Sequence, residues 1–102
     1  MYRASDRVEN EEWISRLEAA CTELDLDDDV CATATDVFLS GVPETECSKA
    51  ATAAASLYAA ALIRGQERSQ SAIADAMGVS RLAVQSRWKP LLEAAGFSPP
   101  TW

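Results

Sequence analysis

Histidine is absent from this 102-residue chain. That removes imidazole acid–base chemistry, histidine metal ligands and a histidine-dependent nucleophile triad. Lysine is scarce, with only Lys49 and Lys89, and glycine and proline occur four times each. No apolar run reaches the ~18–20 residues that a membrane-spanning helix needs. The start, Met1–Asn10, is polar and charged and does not read as a secretory leader. The three cysteines, Cys21, Cys31 and Cys47, contain no C-x-x-C pair. A structural zinc site wants four soft ligands in short paired spacings, so neither a metal nor another cofactor is expected. The odd cysteine count fits a reducing cytoplasm, with free cysteines serving as small buried hydrophobes.

What is present is alanine, acid and helical periodicity. Nineteen residues are alanine, and 48% of the chain is hydrophobic. Together with the scarcity of glycine and proline this favours a single helical domain. The formal charge is −7, which read alone argues against a nucleic-acid partner. The distribution argues otherwise. Residues 1–63 hold 13 acidic and 4 basic side chains, whereas residues 64–102 hold 5 basic and 3 acidic ones. Regional charge, not the total, steers a charged ligand. Few lysines and many Ala, Asp and Glu residues also fit a high-salt, halophilic cytoplasm.

Five helical segments are expected, with no strand pattern and no internal repeat. Residues 1–9 read as an N-terminal arm that Tyr2 alone could anchor. From Glu11, a stripe of Trp13, Ile14, Leu17, Ala20, Cys21 and Leu24 marks the first helix. Asp25–Asp29 reads as an acidic turn whose aspartates cap the next helix and suit its dipole. Val30, Cys31, Ala34, Val37 and Phe38 form the second stripe, which Gly41-Val42-Pro43 ends. A third segment, from Thr45 or Glu46 to Ile63, is apolar nearly all round and rich in alanine. That pattern predicts a central helix buried on most sides, closed by Gly65. A short helix over Ala72–Met77 and a last one over Arg81–Ala95 follow. Gly96 then leads into a tail over 98–102.

Gln70–Lys89 has the pattern of a helix-turn-helix, the unit running over about 69–95. Ala74 is small where the two helices cross, and Gly78 permits the left-handed turn residue. Ile73, Met77, Val79 and Val84 are the apolar anchors. The alternative is an αα corner with no nucleic-acid role. On the last helix Val84, Trp88, Leu91, Leu92 and Ala95 face the core, with Leu82, Gln85, Ser86 and Lys89 opposite or flanking. A recognition helix presents its first turns to base edges. Arg81, Leu82, Gln85 and Ser86 are therefore the expected base contacts: Gln85 toward adenine, Arg81 toward guanine, Leu82 toward a thymine methyl. Arg68, Ser69, Ser71 and Lys89 are the expected phosphate contacts. Pro90 predicts a kink near Trp88–Lys89, or a helix that ends there and restarts.

These segments resemble a known family. Ser48–Tyr58 with Ala59 and Ala60 is similar to the "S-P-x-x-x-A-A-A-A-L-Y-x-A" helix of archaeal transcription factor B and eukaryotic TFIIB. Gly65–Ser80 resembles their "G-x-x-R-T-Q-x-x-I-A-x-x-A-G-V-T", and Leu82–Lys89 their "V-T-I-R-N-R-Y-K". The similarity covers about residues 11–96 and is closest to the second of two cyclin-like repeats, without the zinc ribbon. The resemblance implies an all-α, five-helix cyclin-like repeat over residues 10–97 whose last two helices form the helix-turn-helix. It implies a transcription regulator or initiation-factor-B-like protein on double-stranded promoter DNA, with TATA-binding protein as a partner. The family's base-reading positions fall on Leu82 and Gln85, where Val and Arg are common. A homodimer would restore a second repeat. The competing reading is a protein-interaction adaptor or competitor that docks on a transcription protein and touches no base. An enzyme is not expected, since nothing assembles a catalytic site. A cytoplasmic, nucleoid-associated protein is the corresponding localisation.

Overall fold

The computed structural model describes residues 10–40, 46–94 and 96. The arm over 1–9 with Tyr2, the Gly41–Pro43 stop, Ala95 and the tail over 98–102 lie outside the described residues, as does the side chain of Cys47. Five helices follow one another: α1 Glu11–Glu23, α2 Asp28–Ser40, α3 Glu46–Ile63, α4 Gln70–Met77 and α5 Arg81–Ala94. Among the described residues there is no strand, and no helix is long and apolar enough to cross a membrane.

Helix α3 packs against each of the other four, most extensively against α5 and α2. Every residue from Ala51 to Ala61 is buried. Alanine gives the backbone a strong helix preference and a narrow profile, so neighbours approach from all sides. Only Leu57 and Tyr58 are large within that run. Thr52 and Ser56 are buried too, and Ser56 Oγ donates to the Thr52 carbonyl at 2.8 Å. That local bond satisfies a hydroxyl that would otherwise be costly to bury.

The expected stripes dock on this rod. Trp13, Ile14, Leu17, Ala20 and Cys21 of α1 are buried, as are Val30, Ala34, Val37 and Phe38 of α2. Leu24 and Cys31 are half-buried against the same core. The α1–α2 turn differs from the expected capping in one detail. The carbonyl of Asp27 accepts from Val30 and Cys31 as the first helical bonds of α2 form. Its carboxylate is turned instead to the Gln66 side-chain amide, and its N–H donates to Gln66 Oε1 at 3.0 Å. Asp28 and Asp29 lie in the first turn of α2, where the helix dipole favours them. Asp25 adopts a left-handed φ of 56°, a conformation aspartate tolerates better than most residues.

Cys21 and Cys31 meet where α1 packs on α2, their side chains joined by a hydrogen bond. Burial, and secondarily the neighbouring Cys31, pushes the Cys21 thiol up from 9.0 to about 12.

Ala54→Leu, at a position with no solvent exposure, forces bulk into a close-packed helix interface. It should cost about 1–3 kcal/mol, read from urea unfolding midpoints. The buried thiol makes a separate expectation for pH. Cys21 is protonated below pH 9 in both folded and unfolded chains. Between pH 9 and about 12 the unfolded thiol ionises while the buried one keeps its proton, so stability falls as pH rises through that window. Cys21→Ala should remove that part of the slope when unfolding is compared at roughly pH 8 and pH 10.

Candidate nucleic-acid interface

The helix-turn-helix is built by caps at each of its corners. Ser69, extended at φ −64° and ψ 153°, accepts the Ala72 N–H on its Oγ at 3.0 Å and starts α4 at Gln70. Helix α4 thus begins two residues before the expected Ala72. Gly78 ends it in the left-handed region at φ 70° and ψ 34°, and the Val79 N–H reaches back to the Ala74 carbonyl at 3.0 Å. A Cβ built on Gly78 would meet nothing within 4 Å, so dihedral preference rather than space calls for glycine there. Ser80 opens α5, its Oγ accepting from the Ala83 N–H at 3.2 Å.

The expected anchors hold the unit to the core. Ile73, Ala74 and Val84 are buried, and Met77 and Val79 pack partly buried against them. Trp88 meets Tyr58 of α3 edge to face, with ring centroids 5.4 Å apart and planes at 73°. Leu92, fully buried, continues the same stripe. The helix runs through Pro90 as one element to Ala94 instead of ending and restarting. Buried Trp88 and Leu92 on either side hold the register that the missing N–H of Pro90 weakens.

All four expected base-contacting residues, Arg81, Leu82, Gln85 and Ser86, are exposed on α5. Leu82 is 70% exposed, an unusual state for a large apolar side chain. Ser86 Oγ donates to the Ala83 carbonyl at 3.4 Å. Lys89 is exposed one turn beyond Gln85, its Nζ 5.4 Å from the centroid of the Trp88 ring. Arg87, not singled out from the sequence, is also exposed on α5. Its place three residues after Val84 hid it on a simple core-versus-outside sorting. Among the described residues no carboxylate lies in ion-pair range of Arg81, Arg87 or Lys89. The exposed acids Glu11, Glu12, Glu18, Glu23, Asp25, Asp27, Asp28, Asp29 and Asp36 sit on α1, its turn and α2. A groove of about 340 Å³ between α1 and the end of α4 is lined by none of the expected site residues.

Ser69 and Ser71 are exposed at the start of α4, where the dipole favours an anion. Arg68 is half-buried and turned inward. Its Nε donates to the Leu24 carbonyl at 3.1 Å and Nη2 to that of Asp25 at 3.2 Å. Nη1 donates to the carbonyls of Gln66 at 3.1 Å and Glu67 at 3.2 Å. The guanidinium thus ties the residues before α4 to the α1–α2 turn. Gln66 grips Asp27 beside it, and Arg64 Nε donates to Thr33 Oγ1 at 2.9 Å.

Arg68→Lys should not replace these bonds, because a single ammonium cannot span carbonyls that three separate nitrogens reach. A loss of about 2 kcal/mol in thermal or urea unfolding is expected, with Arg68→Ala no worse by more than about 1 kcal/mol.

Residues 9–94 match the family described as the transcription factor TFIIB repeat. Over 48 residues the chain is 40% identical to a protein of Thermococcus kodakarensis named transcription initiation factor IIB 2. That match takes in 47% of this chain and 16% of the relative, so the chain spans a small part of that protein's length. The family match runs from just before α1 to the end of α5, the whole of the five-helix cyclin-like unit, and the chain therefore belongs to the transcription factor TFIIB repeat family.

Proposed function

We propose that this protein is a transcription regulator or initiation-factor-B-like protein that binds double-stranded promoter DNA through α4 and α5. The observation that carries this reading is the outer face of α5: exposed Leu82, Gln85 and Ser86 beside cations that no described carboxylate neutralises. Membership of the TFIIB repeat family and the initiation-factor name of the Thermococcus relative support it.

In this reading α5 enters the major groove by its first turns. Gln85 accepts and donates at an adenine edge, Arg81 donates to guanine or a phosphate, Leu82 covers a thymine methyl, and Ser86 supplies a short polar contact. Ser69, Ser71 and Lys89 meet phosphates on either side. Arg68 adds positive charge there, while its N–H groups keep the start of α4 in place. Arg87 joins the electrostatic footprint. TATA-binding protein is the partner expected at a promoter, and a homodimer would present two helix-turn-helix units. The site acts by binding, with no catalytic step, in the cytoplasm at the nucleoid.

The exposure of Leu82 favours a second reading, an adaptor that docks on TATA-binding protein or another transcription protein without reading bases. Charge reversal separates the two. Arg81→Glu with Lys89→Glu should weaken binding to a labelled promoter duplex by about tenfold or more, read by fluorescence anisotropy across a potassium chloride series. The slope of log affinity against log salt should fall by about one for each phosphate that the variant no longer neutralises. Duplex binding that survives the double change removes the recognition-helix assignment. Binding that requires TATA-binding protein and ignores the charge reversal establishes the adaptor.

A further inference from the structure

Two thiols stand outside the proposed interface. Cys21, near the end of α1, is 4% exposed and belongs to the core. Cys31, in the first turn of α2, is half-buried against that core and so partly open to solvent. Their side chains are hydrogen-bonded to one another across the helix interface. The backbone on both sides is pinned: Leu26 N–H donates to the Cys21 carbonyl at 2.8 Å, and Cys31 N–H to the Asp27 carbonyl at 3.2 Å. The two sulfurs are therefore held together by the turn, without needing a motion of either helix.

We propose that Cys21 and Cys31 form a peroxide-responsive dithiol site that closes to an intramolecular disulfide, stapling α1 to α2. The oxidant is a peroxide, ROOH. The Cys31 sulfur attacks one peroxide oxygen, the O–O bond breaks, and Cys31 sulfenic acid and ROH are formed. The Cys21 sulfur then attacks the Cys31 sulfur. The S–O bond breaks, and hydroxide leaves with the Cys21 proton as water. Two electrons pass from the two thiols to the peroxide. Exposure decides the order, because an oxidant reaches Cys31 and not Cys21. Burial, Cys31 itself and the carboxylates of Glu18 and Asp28 all keep the Cys21 thiol protonated, so the second step is slow. The site thus answers sustained rather than brief oxidation. The staple lies behind the turn whose Leu24 and Asp25 carbonyls receive Arg68, so it stiffens the surface on which the α3–α4 linker rests.

The test uses the full chain carrying Cys47→Ser, in which Cys21 and Cys31 are the remaining thiols. It is treated with hydrogen peroxide, alkylated under denaturing conditions, and examined by intact mass and by non-reducing peptide mapping. The expected product is monomeric, lighter by two hydrogen atoms, free of alkylatable thiol, and reverts with dithiothreitol. Its melting temperature rises by at least about 5 °C. Added oxygen atoms, a cross-linked dimer, two surviving thiols or an unchanged melting temperature each overturn the proposal. Adding Cys31→Ser must abolish the loss of two hydrogens. If Cys47→Ser fails to fold, mapping of a Cys21–Cys31 linked peptide in the unsubstituted chain decides the matter.

Discussion

The whole arrangement depends on one helix having almost no girth. Eleven consecutive residues of α3, Ala51 to Ala61, are buried, and most carry a methyl group or a hydroxymethyl. Four helices converge on it because none meets a long side chain on the way. The large residues are rationed. Tyr58 projects where Trp88 of α5 can meet its ring, and Leu57 fills another sector fully buried. The recognition-type helix is thereby seated on the most rigid element of the domain, which suits a surface that must present side chains in fixed register.

A second constraint works from the rim. The linker between α3 and α4 covers residues 64–69 and contains a left-handed Gly65, so by itself it would be loose. Arg64, Gln66 and Arg68 bind it instead to α2 and to the α1–α2 turn. The acidic half of the chain is thus mechanically joined to the start of the helix-turn-helix through backbone carbonyls as well as carboxylates. The same carbonyls belong to the turn that brings Cys21 against Cys31.

The parts that were legible in the sequence are those decided by neighbours along the chain. Ser69, Gly78 and Ser80 announce caps and a left-handed turn by their own chemistry, and each performs as expected. The 3.6-residue stripes of α1 and α2 identify their buried faces, and the alanine run identifies the central helix. What could not be read depends on residues far apart. Arg68 looks like a phosphate ligand until the turn more than 40 residues earlier folds beside it and offers its carbonyls. Asp27 looks like a side-chain cap until Gln66 arrives. Thr33 and Thr35 break the apolar stripe of α2 yet are buried, since one accepts from Arg64 and the other donates to the Cys31 carbonyl. Pro90 is the converse case: a local rule against helix continuation yields to tertiary anchoring by Trp88 and Leu92.

The segregation of charge has a consequence in torque. Acids line α1, its turn and α2, while Arg81, Arg87 and Lys89 project from α5. Because the net charge is −7, a polyanion is repelled by the molecule as a whole and attracted by one face. Over distances comparable to the Debye length the first effect of its field is to rotate the protein, turning α5 inward before any contact is made. In molar salt that length shrinks to about 3 Å, shorter than a side chain. Rotation by the field then ceases, and orientation must be found by collision and kept by shape.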